Sequence, residues 1–185
     1  MLLSAEKQTL LTIAVGALCR HLAGKAFEPV DVSGPMEEPR GAFVTWRRAE
    51  ELRGCIGNIL PSDALWLTVQ KMAVASGARD SRFAPISHDE IEQLHVEISA
   101  LTPCTRVENL NDIQLGVHGL FIRKEEKSGV LLPQVPLSQG WDLDEFLWHT
   151  CRKAGLDGEE WRKTPDIVHS FGAEVFGEDV KTVLE

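Results

Sequence analysis

The sequence predicts an α+β (mixed α/β) domain with largely antiparallel sheet flanked by helices. Segments of helical period, several stopped by Gly, are interleaved with segments of period two. Two of the period-two segments run through a polar turn into a return strand, as hairpins do. No regular strand–helix–strand rhythm runs along the chain, which disfavours a doubly wound parallel sheet. With 185 residues, 43% hydrophobic and 25% charged, positions 1–185 make one globular domain.

Each element has its own warrant. Ser4 to Ala23 places Leu11, Val15, Leu18 and Leu22 at helical spacing and stops at Gly24, with Cys19 packed on that helix. Phe27 to Pro39 contains three Pro and one Gly and reads as a loop. Ala42 to Arg48 alternates as a strand, with Val44, Trp46 and Arg48 on one face and Phe43, Thr45 and Arg47 on the other. Ala49 to Leu52 is the expected turn and Arg53 to Ile59 the return strand. Pro61, Ser62 and Asp63 form a stop and N-cap for a helix through Leu65, Val69, Met72 and Ala73 that ends near Gly77. Ser87 and Glu90 have capping-box spacing, and His95 to Leu101 alternates as a strand up to Pro103.

In the C-terminal half, Val117 to Lys124, a turn at Glu125 to Gly129 and Val130 to Leu132 form a second hairpin. A Pro-rich link, Pro133 to Pro136, follows. Asp142 and Glu145 make another capping box, and the helix behind it presents Leu143, Phe146, Leu147, Thr150, Cys151 and Ala154 on one face before Gly155. Ile167 to Phe176 is the last predicted strand.

Composition removes several function classes. The net charge of −9 repels phosphate backbones, so nucleic acid is a disfavoured partner. No apolar run reaches the roughly 18–20 residues of a membrane span, and the N-terminus lacks the solid apolar stretch of a secretory signal. Cys19, Cys55, Cys104 and Cys151 show no CxxC or finger spacing, so neither a metal nor another cofactor is expected, and a reducing, cytoplasmic setting is. Dinucleotide, Walker, nucleophile-elbow and zincin motifs do not occur.

The string Leu52-Arg53-Gly54-Cys55-Ile56-Gly57 is the strongest local signal. In a regular strand Arg53 and Cys55 share a face, where a guanidinium favours a thiolate, and Gly54 and Gly57 let a ligand or another backbone come close. A packed, inert cysteine fits the same string. His95, Glu97 and Ser99 share a polar strand face, either the wet side of a sheet or a wall where Glu97 moves a proton. His118, between Gly116 and Gly119, is equally suited to bind a ligand or to pack in the core. Arg82 clamps an anion or pairs with Asp80, and Gln134 offers one amide to a polar ligand.

Seven strings occur in order: Gly41-Ala42-Phe43-Val44, the Cys55 string, Asp80-Ser81-Arg82-Phe83, Glu97-Ile98-Ser99, Gly116-Val117-His118-Gly119, Leu132-Pro133-Gln134-Val135 and Cys151-Arg152-Lys153-Ala154-Gly155. Together they resemble the AMMECR domain family, whose prokaryotic members are labelled AmmeMemoRadiSam system protein A. The resemblance implies two α/β lobes with a cleft between them, and a pathway shared with Memo-type and radical SAM proteins. It implies a site at Arg53 and Cys55, with Glu97, Ser99, His118 and Gln134 at matching positions. Asn58 stands where relatives often have Thr. The expected function is a cysteine-dependent enzyme, or enzyme component, acting on a small molecule. Cys55 would be the nucleophile, His118 or Glu97 the proton carrier, and Arg53, Gly54, Gly57, Arg82, Ser99 and Gln134 the substrate contacts. The alternative is a ligand-binding or scaffold module without turnover, and a third reading, nucleic-acid modification, is weakened by the net charge of −9.

Overall fold

The computed structural model describes residues 1–28, 31–60 and 62–185. Pro29 and Val30 of the predicted loop and the predicted stop at Pro61 lie outside the described residues. The chain divides into two units, Met1–Ala100 with Glu174–Glu185, and Leu101–Ala173.

The first unit begins with helix α1 (Ser4–Leu22), which buries Leu10, Ile13 and Leu18 and turns off at Gly24 in a left-handed conformation. Strands β1 (Ala42–Arg48) and β2 (Glu51–Asn58) form an antiparallel hairpin. Its turn is Ala49–Glu50, two residues shorter than the sequence suggests, with Ala49 at φ 50°. The pairing slips between Trp46 and Arg47: Trp46 faces Gly54 while Arg47 faces Leu52, so Arg53 is an extra residue without a partner across the ladder.

Helix α2 (Leu65–Ala78) covers this hairpin. Ala64, and not Ser62 or Asp63, is its N-cap, because Asp63 instead holds Lys71 at 2.8 Å. Gly77 lies inside the helix, where a Cβ would stand 2.7 Å from Leu18. It is a packing residue between α1 and α2. A 3-10 turn, His88–Gln93, keeps the predicted Ser87 and Glu90 capping box and leads into β3 (Leu94–Leu101). Strand β1 lies between β2 and β3, pairing antiparallel with both. Val44, Trp46, Val96 and Ile98 point to one side and form the core with α1 and α2.

The second unit holds β4 (Thr105–Arg106), the hairpin β5 (His118–Lys124) and β6 (Lys127–Leu131), and the first part of β7 (Val168–Asp179). Here too the turn is shorter than predicted, Glu125–Glu126, with Glu125 at φ 54°. The expected Pro-rich link is helical: α3 (Gln134–Gln139) tolerates Pro136 in its first turn. Helix α4 (Leu143–Lys153) has the predicted capping box, with the Asp142 carboxylate accepting from the Glu145 N–H at 2.9 Å. Phe146, Leu147 and Cys151 pack with Leu120, Ile122 and Val168. Helix α5 (Glu160–Lys163) follows, and the chain ends in α6 (Val180–Leu184), which belongs to the first unit. Neither these two short helices nor β4 carries a sequence pattern long enough to be seen. Among the described residues no helix is long and apolar enough to cross a membrane.

Candidate functional site

The bulge at Arg53 decides which side chains surround Cys55. With one residue inserted, strict alternation fails between 52 and 54, and Arg53 does not share the cysteine's face as a regular strand would require. Its guanidinium instead grips Glu90 through two bonds, 2.7 and 3.1 Å, and reaches the Ala84 carbonyl at 3.4 Å. Arg48, on the core side of β1, approaches the same carboxylate at 3.6 Å. Glu90 is held below the usual carboxylate range, chiefly by the Arg53 hydrogen bonds, and Arg53 is raised by the same contact. Arg53 therefore ties β2 to the 3-10 turn.

The arginine that does reach the cysteine is Arg82. Helix α2 ends at Ala78, and the chain turns back so that Asp80 and Arg82 meet β2 at Cys55. Within the first unit β2 is an edge, since β1 and β3 follow it in the sheet. Cys55 donates its N–H to Asp80 Oδ2 at 2.9 Å, and its carbonyl accepts from Arg82 Nη2 at 3.0 Å. A carboxylate and a guanidinium thus supply the acceptor and donor that another strand would have offered. The two side chains are joined by bonds of 2.7 and 2.9 Å, and Asp80 also accepts the Arg82 N–H at 3.2 Å, a local turn bond. The Arg82 guanidinium holds the buried Asp80 carboxyl well below the usual carboxylate range, against burial, and the Cys55 N–H adds to that effect. Arg82 itself is half exposed, and its Nη1 has no hydrogen-bond partner among the described residues.

The Cys55 sulfur, half-buried, accepts a hydrogen bond from the Thr45 hydroxyl at 3.2 Å. Register explains the contact: Thr45 is opposite Cys55 on one side and opposite Glu97 on the other. Cys55, Thr45 and Glu97 therefore form one cross-strand row on the face away from the α1–α2 core. Strands are spaced about 4.8 Å apart, so the Cα atoms of Cys55 and Glu97 are separated by about 10 Å. The adjacent row is Gly57, Phe43 and Ser99. A Cβ at Gly57 would stand 2.2 Å from the Phe43 ring, so this glycine makes room for an aromatic face. Gly54 points the other way, where a Cβ would stand 1.9 Å from the Ser76 carbonyl oxygen; the close backbone approach there is that of α2.

The structure thus brings together Cys55, Glu97, Gly57, Ser99 and Arg82, all in the first unit. His118 and Gln134 belong to the second unit. His118 opens β5, and its Nδ1 accepts the Gln114 N–H at 3.1 Å, which leaves the ring proton on Nε2 when the ring is neutral. Gln134 is the exposed first residue of α3. Sequence reasoning missed Thr45 as a partner of the sulfur, because only the true hairpin register places it there. Asp80 was visible only as an ion-pair partner of Arg82. Among the described residues no group of three or more His, Cys, Asp or Glu is arranged to hold a metal ion.

Burial pushes Cys104 up to about 11 and also raises Cys19 and Cys151.

Comparison with known proteins gives a consistent result. The AMMECR1 family model matches residues 11–176. Protein MK0488 of Methanopyrus kandleri is 37% identical over 184 residues, covering 94% of this chain and 89% of its own. Protein PYRAB00100 of Pyrococcus abyssi is 39% identical, covering 92% of this chain and 89% of its own. The crystal structure of the uncharacterized protein PH0010 from Pyrococcus horikoshii superposes with a TM-score of 0.86 at 38% identity, over 93% of this chain and 91% of that one.

Proposed function

The chain belongs to the AMMECR1 family, and from that premise we propose that it is a cysteine-dependent enzyme, or enzyme component, acting on a small molecule at Cys55. The observation that carries the reading is the fixed placement of the sulfur. Its backbone is held on both polar atoms by Asp80 and Arg82, and its side chain accepts the Thr45 hydroxyl. Such preorganisation lowers the cost of presenting a nucleophile in one geometry.

In this reading the Cys55 thiolate forms a C–S bond to an electrophilic carbon, and the displaced electron pair moves to an oxygen of the substrate. Arg82 supplies the cationic donor for that oxygen through its free Nη1. Of the two candidate proton carriers, Glu97 lies in the same row as Cys55, with Thr45 between them, so it takes the thiol proton through a bridging water and ends neutral. In the adjacent row the Phe43 ring covers Gly57 and Ser99 is buried, so Arg82 is the exposed substrate contact of this unit. The unpaired state of all four cysteines supports a reducing, cytoplasmic compartment. Family membership supports a pathway with Memo-type and radical SAM proteins, which co-purification from the native organism tests.

One observation favours the second reading, a ligand-binding module without turnover. The Cys55 N–H is taken by Asp80, so the backbone donor many thiol acyl-transfer sites use is not available here. The two are separated by iodoacetamide labelling of all four thiols across pH, followed by peptide mass spectrometry. The enzyme reading expects Cys55 to label first at neutral pH, with Cys104 rising only towards its value of about 11. A Cys55 that stays unlabelled in the folded protein leaves the binding module as the function.

A further inference from the structure

We infer that Thr45 is a positioning residue for the Cys55 sulfur, its hydroxyl holding the sulfur in one direction for attack; the inference rests on the nucleophile reading above. Thr45 is 6% exposed and sits in the middle strand of three, so its hydroxyl has few partners to choose from. A buried hydroxyl needs an acceptor. Three other buried hydroxyls find a backbone carbonyl: Ser76 donates to Met72 and Ala73, Thr68 to Asp63, and Thr150 to Phe146. Thr45 donates to sulfur at 3.2 Å. A neutral thiol is a weak acceptor, whereas a thiolate accepts a charge-assisted bond about twice as strong as a neutral one. The placement is therefore best satisfied when the sulfur is charged.

The geometry also sets the direction of the sulfur. Cys55 and Thr45 are directly opposite across the ladder, the closest cross-strand relation available. The Asp80 and Arg82 contacts fix the cysteine backbone from the outer edge, and Thr45 fixes the side chain from the inner strand. Three side chains thus meet on one residue, and the sulfur lies in the row that ends in Glu97.

The test is the pH profile of Cys55 alkylation in Thr45→Val and Thr45→Ser, with Cys19 as internal control and circular dichroism as the check on folding. Thr45→Val keeps the shape and removes the donor. It is expected to move the profile to higher pH and to slow labelling at neutral pH about tenfold, one unit of thiol acidity. Thr45→Ser, which keeps the donor, is expected to follow the wild type, with Cys19 unmoved in both. If Thr45→Val does not fold, Thr45→Ala carries the same expectation. A wild-type Cys55 that reacts readily, with an unchanged profile in the donor-less variant, overturns the role of Thr45 and leaves the nucleophile reading standing. A wild-type Cys55 that is inert while the protein is folded overturns both.

Discussion

Gly54→Ala is the substitution whose effect can be worked most directly from distances. A Cβ at this position would stand 1.9 Å from the Ser76 carbonyl oxygen and 2.9 Å from its carbon. An ordinary carbon–oxygen contact is about 3.3 Å, so roughly 1.4 Å must be found by moving one backbone against another. Neither side yields cheaply. Gly54 is paired with Trp46 in the ladder, and Ser76 is buried in α2, with the Trp46 indole donating to the neighbouring Ala73 carbonyl at 3.1 Å. Overpacking of this kind costs about 3 kcal/mol at the upper part of its usual range. Alanine stiffens the unfolded chain and returns about 0.4–1 kcal/mol. The expected net loss is about 2 kcal/mol, or about 4–8 °C in midpoint for a chain of this size. Urea denaturation followed by tryptophan fluorescence reads it directly. Gly24→Ala is the control, since that exposed glycine has φ +66° and nothing within 4 Å, so it registers backbone strain alone. A Gly54→Ala protein as stable as the wild type would refute the argument that α2 rests on the backbone of β2.

Three further outcomes follow from the same contacts. Arg53→Ala removes the paired bonds to Glu90 and is expected to cost about 2 kcal/mol, read by urea denaturation. It should leave the alkylation profile of Cys55 unchanged, because the bulge turns Arg53 to other partners. Asp80→Asn is expected to lose about 2 kcal/mol at neutral pH. Because the folded carboxyl lies below its unfolded value, its stabilisation is complete above about pH 4 and is lost as pH falls through the folded value. The gap between wild type and Asp80→Asn should therefore be flat from neutral pH to about 4 and narrow below it, as measured by denaturation across pH. Cys104, pushed up to about 11 by burial, should label at pH 8 about a hundredfold more slowly than a free thiol.

Much of the fold is legible in the sequence because burial on one face imposes a period. The bounds of β1 match their prediction, and α1 and α4 differ from theirs by a residue or two at the ends. The turns are less legible. Predicting Ala49 to Leu52 as the turn places Arg53 opposite Arg48 and would set Thr45 opposite Ile56, which in the structure pairs with Val44 on the other face. The observed two-residue turn puts Ala49 at φ 50°, which nothing in an alanine announces, and recovers the register by a bulge at Arg53. That one slip hides the Thr45–Cys55 contact and wrongly joins Arg53 to the thiol. The short elements β4, α3, α5 and α6 escape for a different reason, since two to six residues do not complete a readable period.

The spacing of Asp80 and Arg82 gains a physical meaning from the edge that they meet. An exposed strand edge offers unpaired N–H and C=O groups, and a passing strand can pair with them. Here a carboxylate takes the Cys55 N–H and a guanidinium two residues later takes its carbonyl, while the two side chains bind each other. Blocking the edge and fixing the cysteine are the same set of bonds. This predicts coupling between the two side chains at Cys55: once Asp80 is replaced by Asn, removing the Arg82 guanidinium should change the labelling of Cys55 much less than it does in the wild type. Independent additive effects of the two substitutions would mean that they act on the strand separately, and the single-device account would fall.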